Sequence, residues 1–486
     1  MEELAFEGVH PPAPPAASEP AASDPALTGP AASGPAVPGP AAPERTPEHG
    51  PTSVGVRLAG QIQRAHAAVV EAHQAVTAWQ LACADPHGPA AHAAEPHADD
   101  ARRVRCDTAP GAQEPGGDVQ MAMAAEGDRT PFPLPAGVRV TARVRARLPR
   151  GELRMVDRSV RTEGPWGEYR PGSFCITEYD VPRDAWYIRE NGGAVPQFAL
   201  MEMGLQPAGV LSGWLGVAGE YPQQDLHCRN LEGSCRLLHD VALPGATVEQ
   251  HVALRSHAPL PGGLVHRYGF ELHTGGRPFC TGEAVHGYVT PELLAQQQGL
   301  DGGTYQPPWL ERHSTAACDV RSLALGEDSR IGTGRLALLE DVALVPGGGD
   351  HGCGYVLCTK PVRADDWFFD RHFFRDPVMP GSAGVQMLHQ AVYAYALHTG
   401  LADHLAEPCC RVAVGEELRW TYRGQILREH RQVRGEVHIR DVRRDGRRVL
   451  LRADGSVWRD DLRIYRVENI AVDIGPAGPH APEERR

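Results

Sequence analysis

Asp366-Trp-Phe-Phe-Asp-Arg-His372-Phe-Phe-Arg-Asp376-Pro-Val-Met-Pro380-Gly381-Ser382-Ala-Gly384-Val-Gln386 runs without a break into an apolar stretch that ends at Gly400. Pro380-Gly381 opens this stretch, and SAGVQMLHQAVYAYALHTG is apolar on most faces, which predicts a helix buried on all sides. Pro377 and Pro380 fix their own backbone angles and stiffen the loop that holds His372 against the helix start. Downstream come RVAVGEELRWTYRGQIL, RQVRGEVHIRDVRRDGRRVLLRADGSVW and LRIYRVENIAVDI. They alternate apolar and polar residues, as antiparallel strands with one covered face do. Arg-Asp-Gly-Arg (444–447) reads as a hairpin turn between two of them.

The same plan occurs upstream. Pro196 is followed by QFALMEMGLQPAGVLSGWLGVAG, read as one apolar helix, and then by CRLLHDVALPG, TVEQHVALRSH and LVHRYGFELHTGGRPFCTGEAVHGYV. A long antiparallel sheet wrapped around one buried helix is the hot-dog architecture. Two copies predict an α+β double hot dog, with halves at about 131–300 and 301–475 packed sheet to sheet and their helices inward.

The flanks are different. Residues 1–55 are rich in Pro, Ala, Ser and Gly and bury too little apolar surface to offset ordering entropy, so a disordered tail is expected. Residues 56–83 show apolar positions at helical spacing and predict a helix, a possible docking element. Residues 84–130 read as linker and 476–486 as a tail. The net charge of −13 argues against general phosphate-backbone binding to nucleic acid. No apolar run is long enough for a membrane span. The acidic start lacks the basic and apolar parts of a secretory signal. Eleven scattered cysteines without a Cys-x-x-Cys pair read as reduced thiols, so a cytoplasmic protein is expected.

The stretch from His372 to Gln386 resembles the active-site motif of the FabA-type β-hydroxyacyl-(acyl carrier protein) dehydratases. In that family a His, then Asp-Pro-Val-Met-Pro-Gly, then an acidic residue fourteen positions after the His make the site. The likeness continues through Arg423-Gly-Gln-Ile-Leu427, Ala453-Asp-Gly-Ser-Val457 and Ile464-Tyr465. The tandem plan, with Glu178-Tyr-Asp-Val-Pro-Arg-Asp-Ala-Trp-Tyr187 and Leu200-Met-Glu-Met-Gly-Leu-Gln206-Pro207, resembles the dehydratase region of polyunsaturated fatty acid synthases. The resemblance implies dehydration of 3-hydroxyacyl chains in fatty acid or polyketide synthesis. The partners implied are an acyl carrier protein and other synthase components. It implies no resident cofactor, since the substrate rides on the carrier's phosphopantetheine. It also implies that the Val378 carbonyl orients the histidine.

One position departs from the pattern: residue 386 is Gln, which cannot deliver a proton. Aligning Pro196 with Pro380 puts Glu202 where Gln386 stands and Gln206 on Gln390. Aligning Trp186 with Trp367 puts Asn191 where His372 stands. The first copy thus has the acid and no histidine, and the second has the histidine and no acid. The resemblance implies sites that take the two groups from facing halves. His372 and Glu202 would then form one complete site, and Asn191 with Gln386 an inert one.

The chemistry suits these residue types. Dehydration needs a base for the C2 proton and an acid for the departing hydroxyl, and histidine titrates near neutrality. Gly381 and Ser382 open a buried helix whose unpaired N–H groups point at developing negative charge. Gln206 and Gln390 share the acid's helix face and are candidates for orienting the acid or a water. The substrate channel is expected along the helices, past Phe198, Leu200, Met387 and Tyr393. Three other readings stay open: a dehydratase that also isomerises the product to a 3-cis-enoyl chain, a hot-dog thioesterase, and a non-catalytic scaffold.

Overall fold

The computed structural model describes residues 118–126, 139, 141–142, 147–313, 318–325 and 330–476. The expected tail, docking helix and C-terminal tail lie outside these residues, apart from position 476. Helix α1 (Asp118–Ala125) falls inside the stretch read as linker, where Met121 and Ala124 pack on Leu148, Val156 and Val210.

Each half is a hot dog. The first contains β1 (Arg158–Glu163), β2 (Phe174–Asp180), helices α2 (Gln197–Leu205) and α3 (Pro207–Trp214), then β3 (His227–Leu237), β4 (Thr247–Leu260), β5 (Gly263–Thr274) and β6 (Arg277–Val289). The second contains β7 (Arg321–Ala324), β8 (Asp341–Val345), β9 (Tyr355–Pro361), helix α4 (Gly381–His398) and β10 (Pro408–Val412). It ends with β11 (Glu417–Tyr422), β12 (Gln432–Asp445), β13 (Arg448–Arg459) and β14 (Leu462–Pro476). The two sheets meet edge to edge. Edge strands β3 and β11 pair antiparallel, Glu417 opposite Arg236 and Thr421 opposite Glu232, and fuse both halves into one 14-stranded antiparallel sheet. The order β1-β2-β4-β5-β6-β3 on one side is mirrored by β8-β9-β12-β13-β14-β11 on the other.

Helix α4 is buried along nearly its whole length because the sheet curls around it, against β9, β12, β13 and β14. Each large apolar side chain so enclosed contributes roughly 1.5–3 kcal/mol. The expected single helix of the first half is two: α2 ends at Leu205 and α3 starts with Pro207, whose missing N–H interrupts the helical ladder. Helices α2 and α4 pack on each other. Trp186 and Trp367 meet edge to face near the pseudo-twofold axis, ring centroids 5.2 Å apart. Their indole N–H groups bond equivalent carbonyls, Glu152 at 3.1 Å and Arg335 at 3.0 Å. The turn between β12 and β13 is tight, Asp445 pairing Arg448 across Gly446 in the left-handed region.

Candidate active site

The segment between the short helical turn Trp367–Arg371 and α4 carries the histidine. It is held from several sides. Met379 N–H donates to the Ile426 carbonyl at 3.0 Å, and Val378 bridges Leu427, so the Arg423–Leu427 stretch fixes the Pro377–Pro380 loop. From the other half, Arg147 donates to the Phe374 carbonyl at 3.0 Å. Arg229 grips Asp376 with two hydrogen bonds of 2.7 Å and also bonds Gln425. His227 Nδ1 lies 2.9 Å from the same carboxylate. Burial alone would raise the Asp376 pKa, but the charge and hydrogen bonds of Arg229, with His227 and Arg147, hold it well below the usual carboxylate range. Arg375, between them, takes a left-handed φ of 56°.

His372 Nδ1 lies 2.9 Å from the Val378 carbonyl. A carbonyl only accepts, so Nδ1 carries the proton and Nε2 keeps the lone pair. Phe373 stacks on the ring at 4.0 Å. Desolvation pushes the pKa of this histidine down to about 4; the Val378 carbonyl and Asp376 oppose the shift, and Arg229 adds to it. At neutral pH the imidazole is therefore an uncharged base.

Glu202 projects from α2 and is 5% exposed. Ser382, in the first turn of α4, donates its hydroxyl to Oε1, and Gln206 Nε2 donates to Oε2 at 2.8 Å. Gln206 is itself pinned, donating to the Leu153 carbonyl at 2.9 Å and accepting from Met155 N–H at 2.7 Å. Burial raises the pKa of Glu202; the Ser382 and Gln206 hydrogen bonds moderate that.

A cavity of about 90 Å³ is lined by Glu202, Gln206, His372, Val378, Gly381 and Ser382. Gln390 is not among its walls. It sits four residues after Gln386 on the face of α4 that addresses the other corner, and donates to the Leu336 carbonyl at 2.7 Å, tethering the helix to the Gly334–Leu336 turn. The expected channel residues also lie elsewhere. Met387 and Phe198 are core, Tyr393 bonds the Pro408 carbonyl, and Leu200 lines a separate cavity of about 460 Å³ beside Gly192 and Ala194. At the other corner Gln386 Nε2 donates to Asn191 Oδ1 at 3.2 Å, and Asn191 Nδ2 donates to the Ala194 carbonyl at 3.0 Å.

Sequence reading missed the walls given by Arg147, Cys228, Arg229, Asn230, His286 and Tyr422. Cys228, Arg229, Asn230 and His286 stand on β3 and β6, which reach the site only through the β3–β11 junction. Tyr422 directly precedes the quoted Arg423-Gly-Gln-Ile-Leu427. Alternation along β11 was a signal for its inward face, though not for what it faces.

Residues 332–468 match the family described as FabA-like domain. The chain is 35% identical over 327 residues to one of the subunits of a polyunsaturated fatty acid synthase from a Thraustochytrium species. The match takes in 63% of this chain and 22% of that relative, so the chain spans about a fifth of the relative's length. Among solved structures, an isomerase-inactive variant of GphF DH1 is matched over 68% of this chain and 98% of its own at 15% identity, with a TM-score of 0.35. The 12:0-ACP thioesterase from Umbellularia californica is matched over 63% and 94% at 10% identity, with a TM-score of 0.34.

Proposed function

We propose, with residues 332–468 taken as the FabA-like domain they match, that the chain dehydrates 3-hydroxyacyl thioesters presented by an acyl carrier protein. The observation that carries this reading is the meeting of His372 and Glu202, from opposite halves, in the wall of one cavity. The neutral Nε2 of His372 takes the C2 proton. The electron pair of that C–H bond moves toward C1 and the thioester oxygen gains negative charge, facing the first-turn N–H groups of α4. As the C2–C3 double bond forms, the C3–O bond breaks, and Glu202 gives its proton to the departing hydroxyl, which leaves as water. His372 then returns a proton to Glu202 through the vacated space. Ser382 and Gln206 aim the acid, and the Val378 carbonyl holds the base in its working tautomer.

A thioesterase working through Glu202 would need the ionised carboxylate to activate water, and burial disfavours that form. In this reading no resident cofactor is required. The acyl chain arrives on a phosphopantetheine arm, and the similarity to part of a synthase points to polyunsaturated fatty acid assembly within a larger synthase. The test is product analysis with a 3-hydroxyacyl thioester. A 2-enoyl product is expected. Free acid, a 3-enoyl chain, or unchanged substrate would point instead to a thioesterase, a dehydratase/isomerase, or a scaffold.

A further inference from the structure

Most polar atoms around the cavity are spoken for. Glu202, Gln206, Arg147, Arg229 and Gln425 all bond protein partners. Tyr422 does not: its hydroxyl is buried and has no partner among the described residues, while the side chain lines the cavity. Two other unpartnered atoms, Asn230 Nδ2 and His286 Nε2, belong to cavity-lining residues on the first half's strands β3 and β6. Tyr422 alone abuts the helix start. A Cβ built on Gly381 would come within 2.5 Å of Tyr422 Cε2 and 2.9 Å of its Cζ, so only glycine lets the hydroxyl-bearing edge lie against the first turn of α4. Tyr465, 4.2 Å away between centroids, backs the ring. A phenylalanine would pack here equally well, because the hydroxyl bonds no group among the described residues. A buried polar group left unpaired is unfavourable, so this one has a ligand to meet.

We infer that the Tyr422 hydroxyl is a second donor, beside the first-turn N–H of Gly381, to the thioester oxygen of the substrate. The inference rests on the dehydratase reading and deepens it. The same oxygen that accepts from Gly381 gains charge when His372 removes the C2 proton, and Tyr422 donates to it without losing its own proton. Burial first, then the neighbouring Tyr465, holds the phenol well above its ordinary pKa, so it remains a donor throughout. Its contribution falls on the charged state more than on the bound substrate.

The experiment compares full-length wild type and Tyr422→Phe in two reactions. One is dehydration of a 3-hydroxyacyl thioester. The other is exchange of the C2 hydrogen of the matching saturated acyl thioester with solvent deuterium. The saturated chain has no leaving group, so exchange reads C2 proton removal and oxyanion stabilisation alone. In Tyr422→Phe, kcat for dehydration and the exchange rate should both fall by about 10²-fold, with KM and thermal midpoint nearly unchanged. Glu202→Gln should slow dehydration much more than exchange. Undiminished dehydration in Tyr422→Phe would overturn the inference. So would loss of dehydration with exchange intact, which would put the hydroxyl on the leaving group's side. A wild type that exchanges and dehydrates nothing would overturn the dehydratase reading and this inference with it.

Discussion

The two corners of the molecule share a skeleton and differ in what hangs on it. At one, His372 bonds the Val378 carbonyl; at the other, Asn191 bonds the Ala194 carbonyl, the equivalent position. Glu202 at the first corner faces Ser382; Gln386 at the second accepts instead from the backbone N–H of Phe198, which stands where Ser382 does. Gln206 and Gln390 tether equivalent turns in both. The hydrogen bonds that shape the corner therefore survive where proton-transfer groups are gone. Asn and Gln keep the donors and acceptors of His and Glu but do not titrate.

The sharpest way to break the comparison is to remove one group at a time. His372→Ala and Glu202→Gln should each lower the dehydration rate by about 10²–10⁴-fold, and the double variant should be little worse than either. Next in size is the pH profile of kcat/KM. The proposed reaction needs neutral His372 and protonated Glu202. The rate should fall on the acid side near the histidine's pKa of about 4, and on the alkaline side at a pH above the ordinary carboxylate range. An acid limb near 6.5 would show a histidine less enclosed than described.

Stability offers a smaller signal. Folded Glu202 titrates above its ordinary value of 4.5, so between that pH and its raised pKa the folded chain holds a proton that the unfolded chain has lost. Wild-type stability then declines with rising pH through that window, by up to about 1.4 kcal/mol per unit. Glu202→Gln lacks this decline. Its denaturant midpoint relative to wild type should therefore rise between pH 4 and neutrality. The smallest effect on rate is expected for Gln386→Ala, a few-fold at most, although it strands the Phe198 N–H and should cost about 1–3 kcal/mol of stability. Were its activity loss to match that of Glu202→Gln, the inert corner would not be inert.

Much of this was legible in the residues. Pro380-Gly381 and the apolar run after it marked α4, and two prolines aligned the halves closely enough to bring Glu202 opposite His372. What stayed hidden was non-local. Strand alternation says which side of β3 or β11 is buried but not that their edges join. Gln390 has the same local sequence setting as Gln206, but it follows Gln386 by one helical turn and bonds the Leu336 carbonyl at the other corner. Helix α1 hid because eight residues among Pro-, Gly- and Asp-rich neighbours give too short a pattern to stand out.

The β3–β11 seam has a genetic consequence. When two identical chains meet across such an edge, every substitution is made twice, and a His-to-Asn change silences both corners together. Here the seam joins two stretches of a single chain, so each corner is encoded by its own codons. A change in the first half's histidine position and one in the second half's acid position fall on the same corner and leave the other whole. Fusion in tandem thus permits a loss that symmetry would forbid, and a corner silenced in this way is free to drift toward packing or another task.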